Sequence, residues 1–361
     1  MKRIFARAAA GAACAVGPLL ASCSSTPPAP TPEPPDVPCL AEGDVRVGGF
    51  RFALTQGSGG SLDGLVIRHR GAPDRVVFAS APGVSLLAAA KANLTATERR
   101  GSFTVSPNLE PLCEGATVSA VACEGAQLAV KGTLAGCGLG YTLTFEEAGP
   151  GRLALGFTTA DAAYNYLELR YGRQDGERYL GFGEQFTHLD LAGKRVEILT
   201  QEQGIGRGDA VVTPVVATAA AGSEGSPLTS YAPLPVYLTT ERRGFYLANT
   251  EYSVFDLTKP GEVRLGLHAP ALRGGIVRAD EPLGVLEGLT AGTGRMPALP
   301  PWVHEGAIVG MQGGTDAVRN VLRELTARGT PIAGFWLQDW VGRRQTSFGS
   351  QLWWNWELDT E

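Results

Sequence analysis

A β–α–β pattern in the last part of the sequence constrains the fold most. The apolar run 306–311 is followed by helical spacing over 315–328 and by a second apolar run, 331–340. Two short apolar runs joined by one helix predict neighbouring parallel strands, because a parallel pair needs a crossover connection. In parallel α/β folds the carboxyl ends of strands carry the chemistry. We therefore expect functional side chains directly after each run.

Polar and aromatic side chains stand at those strand ends. Gln312 follows the first run, and Gln338 and Asp339 lie at the end of the second. The loop beyond adds cationic and indole side chains, namely Arg343, Arg344, Trp353, Trp354 and Trp356. Amides and a carboxylate bond hydroxyl groups, and indoles pack on sugar faces, so the set predicts a polyhydroxylated ligand. Alternatively, the tryptophans pack the loop and the arginines are solvated or bind loop carbonyls.

The amino terminus predicts export and a lipid anchor. Basic residues at positions 2, 3 and 7 precede a mostly apolar stretch, 8–20, which is too short to span a bilayer. The stretch ends in Leu20-Ala21-Ser22-Cys23, which resembles the lipobox of bacterial lipoproteins, where the signal is cut before an acylated cysteine. An ordinary signal peptide with an incidental cysteine is the alternative. We therefore predict a lipoprotein signal peptide over 1–22, lipidation at Cys23 and a place in the bacterial cell envelope.

A proline-rich segment follows the predicted anchor. Residues 23–38 contain PPAPTPEPPDVP, and prolines this dense favour an extended, stiff tether that cannot build a core. No later segment is long and apolar enough to span a membrane, so the lipid is the only predicted membrane contact. The net charge of −5 argues against a nucleic-acid partner, which would require a basic face.

The cysteines predict two disulfides. Four remain once Cys14 leaves with the signal and Cys23 takes lipid: Cys39, Cys113, Cys123 and Cys137. An even number in an exported domain favours disulfides, and three pairings are open. A zinc site is the alternative, but no CxxC pair or nearby histidine supports it. We predict no metal and no other cofactor.

Residues 39–298 carry the pattern of an antiparallel β-sandwich. Short runs alternate apolar and polar residues, and the 48 glycines and 24 prolines of the chain punctuate them. The clearest runs are 45–47, 50–54, 141–145, 152–157, 164–171 and 263–267. Helical spacing is weak until 283–289, and prolines at 297–301 place a domain boundary near residue 298.

A polar, glycine-rich stretch within this region predicts a functional loop. It reads GFGEQFTHLDLAGK over 181–194, and QEQGIGRG follows at 201–208. Long polar loops of this kind are more often functional than connective. A dinucleotide-binding interpretation fails because no helix follows the glycines. The candidate residues are Glu184, Gln185 and Asp190; the alternative for Glu184, His188 and Asp190 is hydrogen bonding that stabilises turns.

Six segments in this order resemble glycoside hydrolase family 31, in the branch that contains the bacterial sulfoquinovosidases. They are GFGEQFTHLDLAGK, QEQGIGRG, MQGGT, FWLQDW, TSFG and WWNW, and the likeness covers about residues 165–361. It implies a galactose-mutarotase-like β-sandwich over 39–298, followed at 299–361 by the beginning of a (β/α)8 barrel, through about its second strand. It also implies that the 181–194 loop reaches the active site.

The resemblance implies roles for individual residues. Gln312 and Gln338 correspond to substrate ligands at the ends of the first two barrel strands, and Trp354 to a tryptophan of the same subsite. Asp339 would contact substrate at a non-catalytic position. Gln351 departs from the sulfoquinovosidase pattern, which has an arginine facing the sulfonate there. A neutral amide offers no charge, so we expect an uncharged α-glycoside as the carbohydrate substrate.

The catalytic residues of the family are expected beyond this sequence. The resemblance implies a retaining mechanism with an aspartate nucleophile and an aspartate acid/base, about 5 Å apart, on later barrel strands. A whole barrel takes about 250 residues, so we expect no catalytic residue in this chain and no hydrolysis by it alone. The expected function is that of the amino-terminal portion of an exported, lipid-anchored α-glycosidase. The alternative is a non-catalytic surface lipoprotein that binds carbohydrate or protein.

Lipidation gives the first prediction. Cys23→Ala should abolish incorporation of labelled fatty acid and release the protein from the membrane fraction, because it removes the predicted acylation site. Cys14→Ala, which changes a cysteine within the signal, is the control and should leave labelling intact. Equal labelling of the wild-type and Cys23→Ala proteins would contradict the anchor.

Overall fold

The fold of this chain is mostly β-sheet. A computed structural model describes residues 39–41, 43–338, 342, 344–346 and 349–351. The predicted signal, the tether and Cys23 lie outside the described residues. Within them, three antiparallel sheets hold most of the strands, and a parallel strand pair follows towards the end of the chain.

The first sheet has five strands in sequential order. They are β1 Cys39–Leu40, β2 Arg46–Val47, β3 Phe50–Gln56, β4 Leu62–His69 and β5 Ala72–Ala79. The third sheet consists of β6 Leu87–Ala90, β13 Tyr166–Gly172, β15 Arg195–Ile198, β18 Ser253–Asp256 and β19 Glu262–Leu267. Its spatial order is β15-β18-β19-β13-β6.

The second sheet has eight strands among the described residues. These are β9 Ala116–Glu124, β10 Gln127–Leu134, β11 Leu139–Gly149, β12 Arg152–Thr159, β14 Tyr179–Gly183, β16 Pro233–Thr239, β17 Arg243–Leu247 and β20 Ala271–Arg278. They lie in the order β14-β16-β17-β20-β12-β11-β10-β9. A separate hairpin pairs β7 Ala92–Arg99 with β8 Ser102–Leu109.

The predicted alternation is confirmed where one face of a strand meets the core. In β12, Leu153, Leu155 and Phe157 are buried while the residues between them are partly exposed. Side chains of a strand alternate between faces, so this sequence can place only one face inward. A single apolar cluster takes residues from all three sheets. Within it, Tyr171 stacks between Phe78 and Phe245, with ring centroids 5.2 and 5.9 Å away.

Both predicted disulfides are present in the structure. Cys39 pairs with Cys123 and Cys113 with Cys137, at Cα–Cα distances of 5.9 and 5.5 Å. Of the three pairings that the sequence left open, the structure selects this one. The first bond fastens β1, in the first sheet, to β9 at the edge of the second. Metal binding by these four cysteines is thereby excluded.

The predicted β–α–β unit is confirmed as a parallel pair. β21 Ala307–Met311 and β22 Ile332–Leu337 are parallel, and α3 Gly314–Ala327 connects them. A short antiparallel pair follows, β23 Arg344–Thr346 with β24 Gly349–Gln351. That this unit begins a barrel stays a prediction. Short 3-10 turns occur at Ser58–Gly60 and Pro301–His304.

Two further helices interrupt the sheets. α2 Pro282–Thr293 extends the segment predicted at 283–289. The sequence did not predict α1 Val212–Ala219, so the expectation that no helix follows the glycines of 201–208 was wrong. The β-branched residues and Pro214 of α1 obscured it. Asp209 begins the turn, since its Oδ1 accepts hydrogen bonds from the backbone of Val211 and Val212. In the described part of the chain, no helix is long and apolar enough to cross a membrane.

A buried ion pair joins the three sheets. Glu177 accepts two hydrogen bonds from Arg243, at 2.7 Å from Nε and 2.6 Å from Nη2. The guanidinium also donates to Val77 O in β5, at 3.3 Å, and to Gly172 O in β13, at 3.1 Å. Burial alone would raise the pKa of Glu177, but the hydrogen bonds and charge of Arg243 outweigh it and lower that pKa.

This pair yields the second prediction. Glu177→Gln should lower the free energy of unfolding by about 3–5 kcal/mol, because Arg243 is left buried without its counter-charge. Since folding lowers the pKa of Glu177 from 4.5, its ionisation stabilises the fold above that pH. The stabilisation is lost as pH falls below 4.5 through the folded pKa, so the variant should lack this acid dependence.

Urea unfolding from neutral pH into the acid range measures both effects. Glu197→Gln is the matched control, because Glu197 and Arg195 form an ion pair with partly exposed side chains. An exposed pair contributes at most about 1 kcal/mol. Equal losses in the two variants would show that Glu177 and Arg243 do not stabilise the fold beyond an ordinary surface contact.

Candidate functional site

The two strand-end glutamines meet in the structure. Gln312 follows β21 and Gln338 follows β22, and Gln312 Nε2 donates to Gln338 Oε1 at 2.6 Å. Their contact follows from the parallel register, which pairs Met311 with Leu337 and brings both strand ends to one edge. Both side chains are exposed. This amide pair, Gln312 and Gln338, is fixed by one internal bond and retains amide groups for a hydroxylated ligand.

The other residues predicted beside the amide pair are only partly described. Asp339, Arg343 and the tryptophans at 353, 354 and 356 lie outside the described residues. Gln351 ends β24, where it pairs with Arg344 of β23. The substrate-binding roles of Asp339, Gln351 and Trp354 therefore stay predictions.

A strained turn positions the first predicted loop. Gly181, Phe182 and Gly183 all have positive φ, at +131°, +63° and +81°, where the register between β14 and β16 shifts. A Cβ on Gly183 would lie 2.1 Å from the carbonyl oxygen of Ala232, so only glycine fits there. Phe182 is fully buried, and burial of its ring offsets the strain of its left-handed backbone. Stored strain of this kind is typical of functional loops.

The residues of that loop differ in what they contact. Asp190 Oδ1 accepts hydrogen bonds from the backbone of Tyr179 and Ala192, both at 3.0 Å. This is the turn-stabilising alternative, and the bonds close the base of the loop. Gln185 Nε2 donates to Phe182 O at 3.4 Å. Glu184 is exposed and stays a candidate for ligand contact.

Arg207 joins this loop to the second one. It lies between Gly206 and Gly208, and all three residues have positive φ. Its guanidinium donates to three backbone carbonyls, those of Gln203 at 3.0 Å, Thr229 at 2.7 Å and Pro227 at 3.2 Å. The same group lies over the ring of Phe186, 5.3 Å from its centroid. Arg207 thus holds the 201–208 loop closed and supports an aromatic ring of the first loop.

Tyr231 belongs to the same surface, although no sequence pattern pointed to it. Its hydroxyl donates to Glu202 Oε2 at 2.6 Å. That hydrogen bond, then partial burial, and then the charges of Glu202 and Glu184 raise the pKa of Tyr231. Together, Glu184, Phe186, Glu202, Arg207 and Tyr231 form what we call the loop cluster.

The β7–β8 hairpin supports the loop cluster from far away in sequence. Its tip accepts a hydrogen bond from the backbone of Glu202 to Gly101 O, at 2.9 Å. The backbone N–H of Phe103 donates to Gln201 Oε1, also at 2.9 Å and across 98 residues of sequence. No local pattern predicts such contacts, because they depend on how distant segments pack.

The loop cluster is suited to binding a ligand. Phe186 and Tyr231 expose 55% and 52% of their surface, beside the carboxylates of Glu184 and Glu202. Aromatic faces beside carboxylates suit a hydroxylated ligand. Among the described residues, no three His, Cys, Asp or Glu side chains are grouped so that they could hold a metal ion.

Comparison with known proteins reveals related sequences. The chain is 33% identical over 226 residues to a sulfoquinovosidase of Escherichia coli strain K12, over 63% of this chain and 33% of that protein. It is 31% identical over 206 residues to a sulfoquinovosidase of Agrobacterium fabrum strain C58, over 57% of this chain and 31% of that protein. The match thus spans about a third of these relatives. No family model matches the chain.

A solved structure shares the fold. It is a GH31 family sulfoquinovosidase from E. rectale in complex with an aza-sugar inhibitor. The TM-score is 0.71 over 85% of this chain and 44% of that one, with 22% sequence identity. The arrangement of antiparallel sheets described above is therefore similar to that of a GH31 enzyme.

The strained turn yields the third prediction. Gly183→Ala should disturb the 184–190 loop, because the new methyl group would collide with Ala232 O and the backbone φ is unfavourable for alanine. Gly193→Ala is the control: Gly193 has φ +77° at the end of the same loop, but nothing lies within 4 Å of its Cβ position. The control should cost about 1–2 kcal/mol, and Gly183→Ala clearly more.

Urea unfolding and amide hydrogen exchange over 184–190 provide the measurements. Exchange in the loop should accelerate in Gly183→Ala and stay unchanged in Gly193→Ala. Equal stability and equal exchange in the two variants would show that close packing of Gly183 does not position the loop.

Proposed function

We propose that this chain belongs to glycoside hydrolase family 31 and is the amino-terminal part of a retaining α-glycosidase that hydrolyses O-glycosyl bonds. In this proposal residues 39–298 form the β-sandwich that precedes the barrel, and 299–361 begin the (β/α)8 barrel. The similarity to sulfoquinovosidases and to the fold of a GH31 enzyme supports it. The parallel β21–α3–β22 unit has the connectivity with which such a barrel begins.

The observation that carries the proposal is the contact within the amide pair. Gln312 and Gln338 come from the carboxyl ends of neighbouring parallel strands, where barrel enzymes bind substrate. The hydrogen bond between them fixes both amides in one orientation before a ligand binds. Ligand binding therefore need not order these two side chains. Neutral amides in a fixed arrangement suit sugar hydroxyl groups, which both donate and accept.

The loop cluster would complete the site from the sandwich. Its exposed rings, Phe186 and Tyr231, present apolar faces, while Glu184 and Glu202 present acceptors for hydroxyl groups. Strain at Phe182 and Arg207 supports a functional role, because such backbone conformations persist mainly where the surroundings enforce them.

The proposed hydrolysis requires two carboxylates, which we expect outside residues 1–361. One aspartate would attack the anomeric carbon and form a glycosyl-enzyme, while the other protonates the leaving oxygen and then activates water. The residues described here bind and orient the sugar. Their contribution is positional, since a misplaced sugar cannot meet the nucleophile.

The substrate proposed is a neutral α-glycoside. The curated relatives are named sulfoquinovosidases, but this chain has the neutral Gln351 where the sulfoquinovosidase pattern has an arginine. A sulfonate buried without a cation would lose charge-assisted hydrogen bonds and its desolvation would go uncompensated. If Arg343 or Arg344 supplies that charge instead, the enzyme will prefer the sulfonate. The measured substrate preference therefore distinguishes the two cases.

Export and lipid anchoring at Cys23 are part of the proposal. The LASC sequence at 20–23 and the basic and apolar residues before it support them. The two disulfides add support, because such bonds persist in oxidising compartments outside the cytosol. The enzyme would then act on carbohydrate at the cell envelope.

The fourth prediction concerns substrate preference of the whole enzyme. Wild type should show a higher kcat/KM for an aryl α-glucoside than for the matching aryl α-sulfoquinovoside. Gln351→Arg should shift the ratio towards the sulfonate by roughly ten- to hundredfold, since a hydrogen bond to a charged group contributes about 1.5–3 kcal/mol. The measurement is kcat/KM for both substrates on both proteins.

Gln345→Arg is the matched control. Gln345 pairs with Ser350, one register position from the Arg344–Gln351 pair of the same hairpin. Gln345→Arg adds the same charge to the same hairpin. A shift in substrate preference as large as that of Gln351→Arg would therefore reflect net charge alone. A wild type that already prefers the sulfonate would contradict the neutral substrate, and no turnover of either glycoside would contradict the α-glycosidase.

A further inference from the structure

We propose that a groove on the outer face of the third sheet binds a neutral pyranose ring. The groove has a volume of about 330 Å³, at the lower end of the range of about 300–1,000 Å³ for small-molecule pockets. Its floor and walls come from β13, β15, β18 and β19, and its lip from β8 and the segment after it. We call it the sheet groove, defined by Tyr166, Arg195, Tyr252, Asp256, Arg264 and His268.

One wall of the sheet groove is aromatic. The ring of His268 lies between two tyrosines, with its centroid 4.8 Å from that of Tyr166 and 5.5 Å from that of Tyr252. The backbone N–H of His268 donates to Tyr252 O at 3.0 Å, so the row crosses neighbouring strands. Burial lowers the pKa of His268, which keeps the imidazole neutral near pH 7. The wall therefore presents uncharged ring surfaces.

The opposite wall is charged but balanced. Register pairs Arg195 with Asp256 and Asp256 with Arg264, which places the three side chains in one row across the sheet. The guanidinium groups of Arg195 and Arg264 are paired with Glu197 and Glu262. Glu168 also lines the groove, where its buried carboxylate pairs with Arg170. Such a wall offers donors and acceptors without net charge. It suits hydroxyl groups better than it suits an anion or a cation.

A glycine keeps the floor low between the two walls. Gly266 pairs with Val254 on one side and with Glu168 on the other, in the row between the aromatic and charged rows. A Cβ there would lie 2.5 Å from the hydroxyl oxygen of Tyr166. That hydroxyl donates to Glu168 Oε1 at 2.8 Å, so Tyr166 lies across the space that a side chain would fill.

A pyranose matches this combination of surfaces. Its C–H face packs on aromatic rings, and its hydroxyl groups reach a row of paired donors and acceptors at the rim. The exposed side chains of Leu109 and Leu112 add apolar surface at one edge of the groove. The choice of a sugar as ligand rests on the proposed function, whereas the groove itself does not. Its role would be to hold a second part of a polysaccharide or glycoside on the enzyme.

The fifth prediction tests sugar binding in the sheet groove with methyl α-D-glucopyranoside. Titration is done on protein carrying Gln312→Ala and Gln338→Ala, which removes sugar contacts at the amide pair. We expect saturable binding with a Kd on the order of 1 mM, the weak affinity typical of a ligand with few atoms. In NMR spectra, the side-chain signals of His268 should shift, while those of His69, outside the groove, should not.

Substitutions in the groove identify the site. Tyr252→Ala should weaken binding about tenfold, and Asp256→Asn, a smaller change, should weaken it by about threefold or more. Tyr164→Ala is the control: Tyr164 precedes Tyr166 by two positions but packs against Lys91, outside the groove. Thermal unfolding of each variant confirms that it is folded.

The outcomes separate the groove from the proposed function. No saturable binding, or binding that both groove variants leave unchanged, would overturn the groove proposal, even if the whole enzyme hydrolyses α-glycosides. Binding that requires Tyr252 and Asp256 would support it. Lack of α-glycoside hydrolysis by the whole enzyme, with groove binding intact, would overturn the glycosidase alone.

Discussion

The ion pair between Glu177 and Arg243 is the interaction on which the rest of the structure depends. Removing both charges from water is costly, and the cost is met only because every polar atom of the pair has a partner. Arg243 reaches the first sheet through Val77 and the third through Gly172 while it belongs to the second. Tyr179, at the start of β14, also donates to Glu177, at 3.1 Å. Since β14 runs directly into the strained turn, the position of the 184–190 loop depends on this buried pair.

The sequence predicted those parts of the fold in which local pattern and burial agree. Alternation over 141–145 and 152–157 predicted strands because one face of each packs in the core. β13 is harder to interpret, since Glu168 and Arg170 on its outer face are buried as well. They form an ion pair at 2.6 Å, so polar residues that the pattern assigns to solvent are enclosed. Whether these polar side chains are buried depends on their tertiary partners, and the alternation of a strand carries no information about those partners.

The candidate site was predicted in part for the same reason. Gln312 and Gln338 could be paired from sequence because topology alone places parallel strand ends together. Tyr231 could not, since it is related to the site by a hydrogen bond to Glu202 and by the nearby charge of Glu184, both of which the fold brings close. The left-handed backbone of Phe182 could not be predicted either, because a phenylalanine between two glycines can equally well have a negative φ. Composition shows where a loop can be strained, but not which residue bears the strain.

Charge balance connects two of the surfaces proposed to bind sugar, the amide pair and the sheet groove. The amide pair is neutral, and the two guanidinium groups that line the sheet groove, those of Arg195 and Arg264, are paired with carboxylates. Neither surface provides an uncompensated cation, so neither can favour an anionic sugar over a neutral one by charge alone. In both places the chain instead arranges donors and acceptors in fixed geometry, by a hydrogen bond between amides or by cross-strand register. Under the proposed function, selectivity for a neutral glycoside would follow from the absence of net charge on these surfaces. Affinity would follow from how little the surfaces must reorganise when hydroxyl groups bind.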